Sequence, residues 1–243
     1  LEKPGLVVWD QKDFFPIVLE KGEVVFYPDE IVSTWVGEVQ QQEPQKVVLS
    51  ISHQKKTIAN ERWWIELDFL EDASKELSQK ISLESKKALN EEWLVDLKAK
   101  SLKQPYWGCV WKAIDNVFLL KEDISEVDFE KASVHVQGTY KSGDWLDINI
   151  KDLEAHRFNV AFPDSLSFQG DYFSIEGSVK KSKGHAWSLE KAYTTIKNTL
   201  CTLPNHQESP LKLSFAGGYK DKKFQIQNLE MILPKSQLFV DEV

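Results

Sequence analysis

The chain is poor in the residues that usually announce a chemistry. It has two cysteines and one methionine in 243 residues. Cys109 and Cys201 each stand alone, which excludes a disulfide scaffold and any Cys-x-x-Cys metal spacing. Two buried thiols are the simpler reading, and one bridge between them is the other. No apolar run approaches the ~20 residues that a membrane-spanning helix needs. Positive charge is in deficit, with a net charge of −8 and a pI near 5.3, which argues against nucleic acid as a partner. The densest basic runs are Lys55-Lys56, Lys86-Lys87, Lys180-Lys181 and Lys222-Lys223. They are short and read as solvated turn and edge residues that discourage strand-to-strand aggregation.

Reactive constellations are missing as well. The five histidines, His53, His135, His156, His185 and His206, are far apart and form no His-x-x-x-His pair. No metal site is assigned. There is no Gly-x-Ser-x-Gly elbow, phosphate loop or dinucleotide fingerprint, so no cofactor is assigned either. With 38 Asp and Glu residues, nominating a glycosidase-type pair would be a guess. The chain is therefore read as non-enzymatic, with no catalytic residue. It opens at Leu1 without an initiator methionine or a signal-like segment. The expectation is a mature product or an excised piece, with membrane association arising only through parts absent from it.

What is present is alternation. An apolar fraction of 42% with 28% charged residues is that of a globular chain able to bury a core. "KVVLSISH" sets Val47, Leu49 and Ile51 against Val48, Ser50 and Ser52. "RWWIELDFLED" sets Trp63, Ile65, Leu67 and Phe69 against Trp64, Glu66 and Asp68. A period of two means a pleated strand with one wet face. The segment Asp72 to Leu102 carries both periods, and is read as strands joined by a charged turn near Ser85 to Glu92. Tyr106, Trp107 and Trp111, interrupted by Pro105 and Gly108, read as a loop or a broken strand, and their cluster as a core plug rather than a sugar platform.

From Ala132 onward the pattern sharpens into hairpins. "VHVQGTYKSGDWLDINIKDLE" turns around Lys141 to Asp144, and "FSIEGSVKKSKGHAWSLEKA" turns around Lys180 to Gly184. "LKLSFAGGYKDKKFQIQNLE" closes the set. Gly138, Gly177 and Gly217 each open a Gly-x-(Tyr/Val)-Lys form, 39 and 40 residues apart. Each leads on to Asp152-Leu153-Glu154, Ser188-Leu189-Glu190 or Asn228-Leu229-Glu230. That spacing is what a modular β array would show, with "WVGEVQ" around Gly37 as a degenerate fourth opening. One amphipathic helix is expected over 188–202, because Leu189, Ala192, Tyr193, Ile196 and Leu200 trace a helical stripe. Ser188 would cap it, and Pro204 lies just beyond its end.

The second half resembles the repeated β segments of the AsmA/TamB family of bacterial envelope proteins. The runs that carry the likeness are "VHVQGTYKSGDWLDINIKDLE" and "LKLSFAGGYKDKKFQIQNLEMILPKSQLFV", within residues 132–243. The resemblance implies an elongated β sheet whose apolar inner face shelters lipid chains, in the cell envelope or periplasm. It carries no catalytic residues.

The combined expectation is a mainly β protein of antiparallel sheets built from hairpins, with one amphipathic helix. It has a β-rich part over 1–125 and a hairpin-repeat part over 126–243. The expected function is a scaffold, or a binder of an apolar or lipid-like ligand, with a protein partner as a further possibility. The alternative is a β-sandwich that recognises carbohydrate or protein through surface aromatics. The candidate ligand-binding residues are Trp145, Trp187, Phe215, Phe224 and Ile226. An inner apolar face would also carry Val134, Val136, Leu146, Ile148, Ile150, Leu211 and Leu213.

Overall fold

A computed structural model gives the structure of residues 17–39, 45–57, 60–70, 79–88, 91–102, 126–141, 144–161, 167–181, 187–202, 211–233 and 236–240. Almost all of them are in strands. The first six are β1 (Ile17–Phe26), β2 (Glu30–Val39), β3 (Gln45–Thr57), β4 (Asn60–Leu70), β5 (Gln79–Lys87) and β6 (Trp93–Leu102). Then come β7 (Glu126–Lys141), β8 (Asp144–Ala161), β9 (Ser167–Lys181) and β10 (Trp187–Thr202). β11 (Leu211–Lys220), β12 (Lys223–Leu233) and β13 (Ser236–Val240) complete the set. The thirteen strands form one antiparallel sheet in which strand order equals chain order. By compactness the chain divides into a first unit, Leu1–Ala113 with His135–Leu146, and a second unit, Ile114–Val134 with Asp147–Val243.

The segment of mixed periodicity becomes two strands, β5 and β6. Ile81, Leu83, Val95, Leu97 and Ala99 alternate, and the ladder between the two strands runs without a shift.

The expected helix over 188–202 is absent from its place: those residues are strand β10, paired on both edges. The reason is legible in the ladder. Register shifts at Leu189/Lys191 and Ile196/Thr199 each insert residues into the strand. A bulge breaks the period of two, so Leu189, Ala192, Ile196 and Thr199 reach one face at spacings of three and four that imitate a helix. Tyr193 and Leu200, the other members of the supposed stripe, face the opposite way. Thr194, Thr195, Ile196, Thr199 and Thr202 are β-branched and favour a pleated surface. Two long ladders supply partners that an isolated helix would lack.

At Gly177 and Gly217, and at the degenerate opening Gly37, the glycine has a physical cause; among the described residues no such contact is seen for Gly138. Gly37 stands beside the shift in β1, Gly177 between the shift in β8 at Ile150/Leu153 and that in β10 at Leu189/Lys191, and Gly217 beside the shift with β12 at Ala216/Gly217. Each bulge drives the facing backbone towards the glycine. A methyl group on Gly177 would stand 3.1 Å from the Lys191 carbonyl oxygen, and one on Gly217 would press on that of Gln225. Asp152 and Glu190 lie within their bulges, and Asn228 adjoins one, so the Leu-Glu motifs mark the same irregularity from the other strand. The hairpin from β11 to β12 turns through Asp221 and Lys222, with φ of 52° and 61°. Two successive left-handed residues are what a tight two-residue hairpin requires.

Burial is concentrated at one end of the strands in the first unit. Val47 and Phe69 are 0% exposed, and Leu19, Val39, Gln79 and Leu102 are buried around them. In the second unit Phe158, Thr199 and Cys201 are buried, and Cys201 carries a free thiol whose pKa burial pushes up. Cys109, Tyr106, Trp107 and Trp111 lie outside the described residues.

Candidate ligand-binding face

Antiparallel pairing places directly opposed residues on the same side of a sheet, so the register reads out each face row by row. In the first unit one row is Leu19–Gly37–Val47–Phe69–Gln79. The next is Trp35–Leu49–Leu67–Ile81–Ala99, followed by Ser33–Ile51–Ile65–Leu83–Leu97. The side chains after the first row are mostly half-buried, and the face ends at Ile31, His53 and Trp63, with Trp63 39% exposed. There His53 stacks on Trp63 at 3.9 Å between ring centroids and meets Glu61 at 3.0 Å. The histidine hydrogen bond leads the causes that hold the Glu61 carboxyl below its usual range.

The opposite face of the first unit mixes charged residues with Val36, Val48, Trp64 and Leu94. Arg62 meets Glu84 at 3.0 Å, and Lys80 bridges Glu66 and Asp68. Asp68 nevertheless titrates above its ordinary value, because burial and the neighbouring Glu66 outweigh the lysine. Asp96 and His135 face each other at 2.9 Å between atoms shut off from water. Burial there pushes the Asp96 carboxyl up, but hydrogen bonds from Gln137 and Lys98 and the charge of His135 together bring it below its usual value. His135 sits in the cross-strand position opposite in facing to Val134 and Val136.

The second unit repeats the amphipathic arrangement by itself. One row is Ala155–Phe173–Ile196–Phe215–Leu229–Val240, unbroken across six strands. Beside it runs Leu153–Ile175–Thr194–Gly217–Ile226, then Ile150–Gly177–Ala192–Tyr219–Phe224. On the other side lie Leu213–Met231–Leu238 and Val160–Phe168–Cys201–Leu211. The reverse face carries Asp147, Asn149, Glu154, Glu176, Lys180, Lys191 and Gln225. Among the described residues there is neither a helix nor a second sheet to lie over the apolar rows.

Of the residues expected to bind a ligand, Phe215, Phe224 and Ile226 fall on this apolar face. Phe215 is half-buried at its centre, Ile226 is half-buried, and Phe224 is 81% exposed near the hairpin end. Trp187 begins β10 opposite Lys181, whose amine lies 5.8 Å from the centre of the indole ring. Trp145 belongs to β8, but its side chain lies outside what is described. Ile148 and Ile150 share the face, opposite Val179 and Gly177. Sequence reasoning missed Phe173, Ile175 and Ile196, which complete the rows. The β-branched run Thr194-Thr195-Ile196 was the signal for the last of these. It also confined the face to the second half, although Leu49, Ile65, Leu67 and Ile81 carry the same alternation.

Among the described residues no group of three or more His, Cys, Asp or Glu is placed to hold a metal ion. Compared with protein-family models, curated proteins and solved structures, the chain matches none.

Proposed function

We propose that the protein is a non-enzymatic, β-rich envelope domain whose apolar sheet face shelters the acyl chains of a lipid. The observation that carries this reading is the six-strand row Ala155–Phe173–Ile196–Phe215–Leu229–Val240, apolar at every position. At ~4.8 Å per strand such a row runs roughly 24 Å. That exceeds the ~15 Å depth filled by the chains of one bilayer leaflet. The side chains along it are half-buried, and an apolar surface with no helix or second sheet over it among the described residues is the kind that marks an interaction site. A polar reverse face keeps such a sheet in water while the other side holds the ligand. Recognition of carbohydrate or protein through Trp187 has less support, because the Lys181 amine lies against the ring that would stack.

Native mass spectrometry of the purified chain tests the proposal. Acyl lipid is expected on the wild type and on Thr195→Gln, which alters the polar face. It is expected to be lost from Ile196→Gln and Phe215→Gln, with circular dichroism verifying that strand content is kept. Retention of lipid in both face variants, or its absence from the wild type, would refute the reading.

A further inference from the structure

We infer that the hairpin end of the second unit, where β9 turns to β10 and β11 to β12, docks on an anionic bilayer surface. The pairing register sets Lys191 opposite Lys220 and Lys220 opposite Lys223, three lysines abreast on the polar face. Like charges directly opposed on a sheet cost stability. None of the three is in an ion pair with a described residue. Lys180, Lys181 and Lys222 lie at the same end, against the carboxylates of Asp147, Glu190 and Asp221. The local balance is thus positive in a chain whose net charge is −8.

The other side of the same end is apolar and open. Phe224 is 81% exposed, Leu189 48% and Trp187 45%, and the Tyr219 ring lies 5.0 Å from that of Phe224. A soluble polyanion or an acidic peptide would neutralise the lysines and leave these rings in water. A bilayer interface meets both needs at once. Aromatic side chains sit at the headgroup level, while lysine stems lie along apolar surface and deliver their amines to lipid phosphates. The tight turn at Asp221-Lys222 holds Lys223 and Phe224 next to each other at its exit, one on each face. This surface is separate from the central rows that would hold an acyl chain, and its test reads docking without reference to chain uptake.

The test is flotation of the full chain with vesicles of phosphatidylcholine alone and of phosphatidylcholine mixed with phosphatidylglycerol, at low and high salt. The chain is expected to float only with the anionic vesicles, and less as salt rises. Each lysine removed is expected to weaken partition about fivefold, so Lys191→Gln with Lys220→Gln and Lys223→Gln lowers it roughly a hundredfold. Phe224→Ser is expected to lower it about tenfold through lost apolar contact. Thermal melts establish that the variants are folded. Equal flotation with neutral vesicles, undiminished flotation of the triple lysine variant, or retention on heparin without any vesicle binding would each overturn the inference.

Discussion

Each unit builds an apolar face of its own, and the two differ in how regular the ladders behind it are. In the first, charges of opposite sign meet across the strands: Arg62 with Glu84, Lys80 with Glu66, Lys141 with Glu92 at 3.2 Å. Its ladders from β2 to β3, β4 to β5 and β5 to β6 run without a shift. In the second, every ladder from β8 to β12 is shifted at least once. Like charges are opposed in both units: Arg62 with Lys86 and Lys80 with Lys100 in the first, and Lys191, Lys220 and Lys223 in the second. The opposite-charge pair Arg157 with Glu130 is at solvated positions, as is Arg62 with Glu84 in the first unit. Surface pairs contribute little to stability, so the difference is not chiefly one of folding energy. It shows that the apolar rows survive irregular backbone, because each bulge restores the alternation it interrupts.

Substitutions can press on this contrast, and the largest effect lies in the first unit. Phe69→Ala removes a side chain that is 0% exposed and should cost about 3–5 kcal/mol in urea unfolding. Phe224→Ala, an equal truncation on a ring 81% exposed, should change stability by no more than about 0.5 kcal/mol. Comparable losses at the two sites would mean that the hairpin end of the second unit is covered.

Next comes the bulge device. Gly217→Val would press a branched side chain against the Gln225 carbonyl and the Phe215 ring, the latter 2.8 Å from the new Cβ. A loss of roughly 2–4 kcal/mol in thermal unfolding is expected. Neutral behaviour would show that the glycine spacing is incidental to the bulges.

Two carboxylates of the first unit should respond to pH with opposite sign. Asp96 is held below its ordinary value of 3.8, so its contribution is present above that pH and is lost as pH falls through the depressed value. Asp96→Asn should therefore weaken the protein at neutral pH and flatten the acid limb of its stability curve. Asp68 is raised, so its favourable contribution exists only at low pH and disappears as pH rises through the raised value. Asp68→Asn should stabilise at neutral pH. Denaturation midpoints followed from acid to neutral pH would show both effects.

The smallest effects concern the outer charges, and they differ in sign between units. Lys220→Gln relieves a like-charge row and should raise stability by a few tenths of a kcal/mol at low salt, the gain fading as salt screens it. Arg62→Gln removes a favourable pair and should cost about 0.2–1 kcal/mol. A stabilising Arg62→Gln would erase the distinction drawn between the two polar faces.

The strands of the first unit could be read from the sequence wherever the ladder is regular. Val47 to Ile51 and Trp63 to Phe69 alternate without interruption, and their faces come out as expected. In β10 the same rule failed, because two bulges converted a period of two into spacings of three and four. A single chain segment cannot reveal whether such a stripe is helical. The decision rests with β9 and β11, which pair with it from 6 to 35 residues away. The glycine recurrence was visible, but its cause was not, since a close backbone approach belongs to two strands at once. Of the expected binding residues, the three on β11 and β12 lie on an apolar face, but most of the surface around them comes from β8 to β10. The lysine row was invisible for a similar reason. Lys191 and Lys220 are distant in sequence, and only the register makes them neighbours.

The account stands or falls on whether the apolar rows meet acyl chains while the residues between them do not. Phe215 and Ala216 are consecutive in β11 and point to opposite faces. Replacing each in turn with benzoyl-phenylalanine, and irradiating the chain with lipid bound, reads the two faces separately. Crosslinks to lipid from position 215 with none from 216 are the predicted result, and equal labelling at both positions, or labelling at 216 alone, would contradict it.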